Sequence, residues 1–189
     1  VCATNSIINP SIKDSCFIDA ATYLWSVSRG ITSTLQQPPP FTLPPGRDTV
    51  KVKVTNVCGS DSALKIIFVT PSPTASISYP NGGRFCKSQT TPQAVTIIGN
   101  LGGSFSVQPA LGLSLNTATG TIIPSSSAAG IYTVTYLIAA AGGCPSVNAT
   151  TTITITNPFA ATISYVSGFC NTVSTAQPII FSGTSGGAY

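Results

Sequence analysis

Apolar and polar residues alternate along most of this chain, and the alternation has the two-residue period of β-strands. It is plainest in Gly130-Ile131-Tyr132-Thr133-Val134-Thr135-Tyr136, where Ile131, Thr133 and Thr135 fall on one face and Tyr132, Val134 and Tyr136 on the other. Thr49-Val50-Lys51-Val52-Lys53-Val54-Thr55 repeats the pattern with both lysines on the solvent side, where they solvate the strand and guard it against edge-to-edge aggregation. In Ala20 to Val27 the residues Tyr23, Trp25 and Val27 share a face, which predicts a strand with Trp25 as core anchor. A turn over Asn56 to Asp61 and a closing strand over Ala63 to Val69 follow. The proline-rich run Gln36 to Gly46 lacks the donors of a central strand and reads as an edge or loop.

Further along, Ala75 to Tyr79, Ala94 to Ile98, Gly102 to Val107, Ile131 to Ala139 and Val147 to Thr156 read as strands. Leu113 to Asn116, the turn Thr117 to Gly120 and Thr121 to Ile123 read as a hairpin-like pair. Gly130 supplies a bend and Tyr132 follows it by two residues. Immunoglobulin-like sandwiches lock a corner this way, with the ring inside and its hydroxyl bonded to upstream backbone. The expected fold is all-β, in tandem sandwiches. Thr70-Pro71-Ser72-Pro73-Thr74 is a short, proline-stiffened boundary. Ala75-Ser76-Ile77-Ser78-Tyr79 returns as Ala161-Thr162-Ile163-Ser164-Tyr165, Phe85-Cys86 returns as Phe169-Cys170, and Ile98-Gly99 maps onto Ser182-Gly183. The expected modules are residues 1–70, 75–157 and a third, 160–189, that stops inside its repeat, so the chain reads as a window on a longer protein.

Charge and chemistry narrow the function classes. Only 6% of residues are charged, none follows Lys87, and the chain has no His and no Glu. The carboxylate side chains are Asp14, Asp19, Asp48 and Asp61, so general acid–base catalysis has almost nothing to work with and a Ser or Thr nucleophile lacks a base. No catalytic residue, cofactor or metal site is expected. The Asp residues do not form an EF-hand loop, and the cysteines lack zinc-ligand spacing. A net charge of +4 comes from Lys and Arg residues scattered singly, which disfavours nucleic acid, and the apolar runs are too short to span a bilayer.

Cys2, Cys16, Cys58, Cys86, Cys144 and Cys170 instead suggest disulfides in an oxidising compartment. The repeat places Cys86 near the first strand of its module and Cys144 in the loop between the last two, at one end of a sandwich. A Cys86–Cys144 bond is therefore expected, worth roughly 4 to 5 kcal/mol in the chain-entropy model. Cys58 holds the Cys144 position in the first module; its partner is Cys16 or Cys2, with Cys16 preferred. Cys2 and Cys170 are then unpaired in this chain. The recurrence of Tyr79, Phe85, Tyr165 and Phe169 suggests packing at module junctions.

Gly112 to Ile122, Gly130 to Tyr136 and Ala141-Gly142-Gly143-Cys144-Pro145 resemble the tandem immunoglobulin-like repeats of very large Bacteroidota surface adhesins. Ala21 to Val27 and Val54 to Asp61 resemble their PKD-like variant. The resemblance implies immunoglobulin-like and PKD-like β-sandwich modules in a rod. It also implies export by the type IX secretion machinery, an outer-membrane anchor, a place on the bacterial cell surface, and a role in adhesion or gliding. The partners implied are neighbouring repeats of the same chain and surface glycans or substratum. One departure is Asp48, which stands where these repeats place the corner Tyr, so the first module must secure that corner differently. The family is O-glycosylated at Asp-Ser/Thr-apolar sites, which would select Thr49 and Ser62. A carbohydrate-binding or spacer module of a secreted polysaccharide-degrading protein is the alternative.

Overall fold

Residues 1–3, 6–12, 21–165, 168, 175–176 and 178–184 are described in the computed structural model of the chain. Alternating β-branched and aromatic residues leave no helical face to bury, and the fold is all-β, built from two- and four-stranded sheets. The chain divides into two compact units: Val1–Ile77 with Ile97–Ser104 and Tyr136–Ala149, and Ser78–Thr96 with Phe105–Thr135 and Thr150–Tyr189.

In the first unit, β1 (Ile7–Ile8) pairs with β4 (Phe41–Thr42). β2 (Thr22–Val27), β3 (Thr32–Ser33), β5 (Gly46–Asn56) and β6 (Gly59–Val69) form an antiparallel sheet in the order β3-β2-β5-β6. Trp25 lies opposite Val52, and the β5–β6 ladder runs unbroken from Gly46↔Val69 to Asn56↔Gly59. The hairpin turn is therefore shorter than the expected Asn56 to Asp61 stretch. The Asn56 side-chain oxygen accepts the Cys58 N–H at 2.9 Å and tightens it. Trp25, Val27, Phe41, Leu43, Val50 and Val69 make the core, and the Trp25 indole N–H donates to the Leu35 carbonyl at 3.0 Å. The proline-rich run contributes only its Phe41–Thr42 edge pairing. Val1–Ala3 lies parallel to the end of β6: the Thr70 N–H donates to the Val1 carbonyl at 2.7 Å and the Ala3 N–H to the Thr70 carbonyl at 2.8 Å.

The remaining strands are β7 (Ala75–Ser78), β8 (Arg84–Cys86), β9 (Thr96–Gly99), β10 (Ser104–Gln108), β11 (Gly130–Ile138), β12 (Val147–Thr156), β13 (Ala161–Ser164) and β14 (Ile180–Gly183). They form sheets in the orders β10-β11-β12-β8, β7-β9 and β13-β14. β8 runs parallel to the end of β12, with Thr154↔Arg84, Ile155↔Phe85 and Thr156↔Cys86. In the second unit Tyr79, Phe85, Phe105, Ile122, Tyr132, Val134, Ile153 and Ile155 are buried. Tyr79 and Phe85 are thus core residues, and the expectation that their recurrence marks module junctions is corrected: Tyr79 donates to the Gly120 carbonyl at 2.5 Å. The expected pair around Thr117 to Gly120 is present as the bridge Leu115↔Ile122. Its turn is capped by the Asn116 side-chain oxygen, which accepts from the Ala118 and Thr119 N–H groups.

The repeat is visible in local geometry. Gly99 has φ +110° and Gly183 φ +138°; a Cβ would strike the Thr74 carbonyl at the first and the Ala160 carbonyl at the second. The next N–H in each case donates to that same carbonyl, Asn100 to Thr74 at 2.8 Å and Thr184 to Ala160 at 2.7 Å. This is the offset that maps Gly99 onto Gly183. Phe169 and Cys170 lie outside the described residues.

Candidate functional site

The constellation with chemical content is a disulfide in the first unit. Between β11 and β12 the chain turns through Ala141-Gly142-Gly143-Cys144. Ala141 and Cys144 exchange backbone hydrogen bonds of 3.2 and 2.9 Å, and Gly142 and Gly143 have φ of +58° and +80°. Two consecutive left-handed residues define the tight hairpin turn that favours Gly-Gly. A Cβ on Gly142 would stand 3.6 Å from the Thr70 hydroxyl, and one on Gly143 would stand 3.7 Å from the Cys2 nitrogen. The turn tip therefore sits against the place where Val1–Ala3 pairs with Thr70, and there Cys144 is bonded to Cys2, with Cα atoms 4.7 Å apart. Both cysteines are buried. Ser72 donates its hydroxyl to the Cys2 sulfur at 3.5 Å, and the Cys144 sulfur lies 3.7 Å from the Pro71 carbonyl oxygen. The bond closes a loop with a sequence separation of 142, worth about 5 kcal/mol in the chain-entropy model.

This corrects the expected pairing. Cys86 stands beside Thr156, the last residue of β12, whereas Cys144 precedes Val147, its first. Nine residue steps of extended strand, roughly 30 Å, separate those strand ends, so a Cys86–Cys144 bond cannot form. Cys2, expected to be unpaired, is the partner of Cys144. Cys58 is exposed and Cys86 half-buried, and both are free thiols. Cys16, the preferred partner of Cys58, lies outside the described residues, as does Cys170. The sequence does mark Cys2 and Cys86 as equivalent positions: Cys2, Cys86 and Cys170 follow one another at intervals of 84 residues. Ser88 donates its hydroxyl to the Cys86 sulfur at 3.1 Å, and this bond lowers the thiol pKa by favouring thiolate.

The two expected corners are both present. Tyr132 is buried with its hydroxyl donated to the Ala128 carbonyl at 3.0 Å, and Gly112 and Gly130 leave room for the ring. Tyr136 adds a second anchor in the first unit, accepting the Gly103 N–H at 2.8 Å and donating to the Asn100 carbonyl at 3.3 Å. At the first corner Asp48 is 1% exposed; its Oδ1 accepts from Arg29 Nε at 2.8 Å and from the Ser28 hydroxyl at 2.9 Å. Ser28 Oγ in turn accepts the Thr49 N–H at 3.1 Å.

The sheet of the first unit gathers cations that the sequence scatters. Arg47, Lys51 and Lys53 share the outward face of β5, beside Leu64, Ile66 and Phe68 on β6 and Leu24 on β2. Of these apolar side chains Leu64 and Phe68 are 64% and 63% exposed, and among the described residues no carboxylate shares the face. On the opposite face, Ile8, Ile12, Trp25, Val52 and Ile67 line an apolar groove of about 380 Å³. Ser62 is exposed on β6, while Thr49 is half-buried in β5 behind the buried Asp48. Among the described residues no group of His, Cys, Asp or Glu can hold a metal, and no helix is long and apolar enough to cross a membrane.

No protein-family model matches the chain, and no curated protein does. Among solved structures it is similar to a SusE-like surface-located polysaccharide-binding protein from the heparin utilisation locus of Bacteroides thetaiotaomicron. That match has 15% identity and a TM-score of 0.36, covering 78% of this chain and 31% of that one. It is similar to the SGBP-B protein of the mixed-linkage glucan utilisation locus of Bacteroides ovatus, solved with a mixed-linkage heptasaccharide, at 12% identity and TM-score 0.32, covering 82% and 42%. It is also similar to immunoglobulin domains 1–5 of Sidekick-1, at 12% and 0.44, covering 76% and 34%. The chain spans less than half the length of each.

Proposed function

We propose that this chain is a repeat segment of a large secreted cell-surface adhesin or filament, serving as stalk and adhesive surface in attachment or gliding. Its modules in this reading are 1–70, 75–157 and the beginning of a third at 160–189. The observation that carries it is the recurrence of one strand pair with one glycine cradle at Gly99 and Gly183. Export through type IX secretion, an outer-membrane anchor and O-glycosylation belong to the same reading. Ser62 is then the more open of the two sites in a folded chain, because Thr49 is half-buried and follows the buried Asp48. The Cys2–Cys144 bond suits a stalk: tension entering at Cys2 leaves at Cys144 and spares the span between, a separation of 142. Under load in single-molecule pulling, reduction should release up to roughly 480 Å of extended chain that the oxidised protein withholds.

A test is deletion of one internal module from the native protein. The surface filament should shorten by one module while cells still attach; filaments of unchanged length, or a protein retained inside the cell, would sink the reading. The carbohydrate-binding alternative draws on the Arg47, Lys51 and Lys53 face with its exposed Leu64 and Phe68. Failure to retain any anionic or neutral glycan on an array would remove it.

A further inference from the structure

Cys2 and Cys86 occupy the same local structure. Cys2 forms a parallel bridge with Thr70, the residue after β6, and the next N–H, of Ala3, donates to the Thr70 carbonyl at 2.8 Å. Cys86 is bridged in parallel to Thr156, the last residue of β12, and the next N–H, of Lys87, donates to the Thr156 carbonyl at 2.8 Å. The two cysteines are 84 residues apart, the interval that also separates Cys86 from Cys170. Cys58 and Cys144 correspond in the same way: each lies in the turn between the last two long strands of its module, β5–β6 and β11–β12. Yet the observed bond does not join the cysteines of one module. Cys2 from the first module takes Cys144 from the second, across Thr70, Pro71 and Ser72.

We propose that this bond is one link of a series: Cys86 is bonded to the cysteine at the Cys144 position of the module that follows it, and Cys58 to the Cys2-type cysteine of a module before it. The inference rests on the tandem-module reading above. It accounts for two observations together. Cys58 and Cys86 are accessible free thiols in a chain whose other described cysteines are buried in a disulfide. Each is also the counterpart of a bonded residue whose partner comes from a neighbouring module. An exposed thiol persists poorly in an oxidising compartment unless it has a partner. Formation of each link removes two thiol protons and two electrons, which reduce a protein or small-molecule disulfide to two thiols. Exchange begins with attack by the Cys86 thiolate, whose sulfur already accepts the Ser88 hydroxyl.

The experiment is a peptide map of the full-length, natively exported protein, alkylated before digestion and run without reduction. The peptide holding Cys86 should be recovered joined to a peptide from the hairpin turn between the last two strands of the next module, and the pair should vanish on reduction. The Cys86→Ser protein should lose that joined peptide completely and yield the next module's cysteine alkylated. Recovery of Cys86 alkylated, or joined to Cys16, Cys58, Cys144 or Cys170, would overturn the proposal, as would a bond to a separate copy revealed by a reducible doubling of mass. Cell attachment does not enter this readout, so the pairing and the adhesive function fail separately.

Discussion

The two penultimate strands, β5 and β11, enter their sheets at corners made from opposite chemistry. At β11 a neutral aromatic does the work: Tyr132 buries its ring and ends its hydroxyl on the Ala128 carbonyl. At β5 the same place holds Asp48, a buried carboxylate held by Arg29 and Ser28, with Oδ2 left without a partner. Burial of a ring is stabilising by itself, whereas burial of a charge is tolerated only while the counter-charge and hydrogen bonds stay in place. The first corner therefore depends on its partners and the second on its own bulk.

Substitution should separate the two. Tyr132→Ala removes a buried ring and should cost about 3–5 kcal/mol in urea unfolding followed by circular dichroism. Tyr132→Phe keeps the ring and should cost about 1 kcal/mol for the lost hydrogen bond. The single tryptophan, Trp25, lies in the first unit and the ring in the second. Its fluorescence transition should stay in place in both variants, and a shift matching that in circular dichroism would show that the corners are not independent.

At the first corner the partner matters more than the carboxylate. Arg29→Ala leaves Asp48 buried and unpaired and should cost about 2–3 kcal/mol, reduced from a fully buried pair because Arg29 is 44% exposed. Asp48→Ala leaves an arginine that water can solvate and should cost about 1–2 kcal/mol from the lost hydrogen bonds. Both should appear in the Trp25 fluorescence transition. If Asp48→Ala proves the worse of the two, the corner is held by packing of the carboxylate and the contrast with Tyr132 collapses.

How much of this was legible depended on range. Alternation placed Tyr132, Val134 and Tyr136 on the buried face and Trp25 in its core, because a strand's period is local. Asp48 could be recognised as a departure, but Arg29 could not be chosen as its partner. That pairing depends on the turn after β2, which brings Ser28 and Arg29 across to Thr49 and Asp48. The cysteines show the same limit. Parallel pairing of Val1–Ala3 with Thr70, and of β8 with β12, is long-range and leaves no mark in the alternation, so the sequence does not show that Cys86 lies at the far end of β12 from Cys144. The recurrence of Tyr79 and Phe85 suggests junction residues, yet recurrence in a repeat marks core positions equally, and both are buried.

The second unit, poor in charge, should also respond to pH differently from the first. No Asp, Glu, Lys or Arg follows Lys87, so the charged side chains of the second unit among its described residues are Arg84 and Lys87, and its other titratable side chains are phenols and thiols. Tyr79 is the buried phenol whose pKa is raised well above its ordinary value near 10, because desolvation disfavours the phenolate. A raised folded-state pKa means that the neutral phenol is favoured by folding. Its contribution is therefore complete below pH 10 and declines as the pH climbs above the unfolded value. Tyr79→Phe should change stability little at pH 7 beyond the lost bond to Gly120, about 1 kcal/mol, and should flatten the decline seen between pH 10 and 12 in circular dichroism. An equally steep alkaline loss in the phenylalanine variant would transfer the effect to other groups and remove Tyr79 as its source.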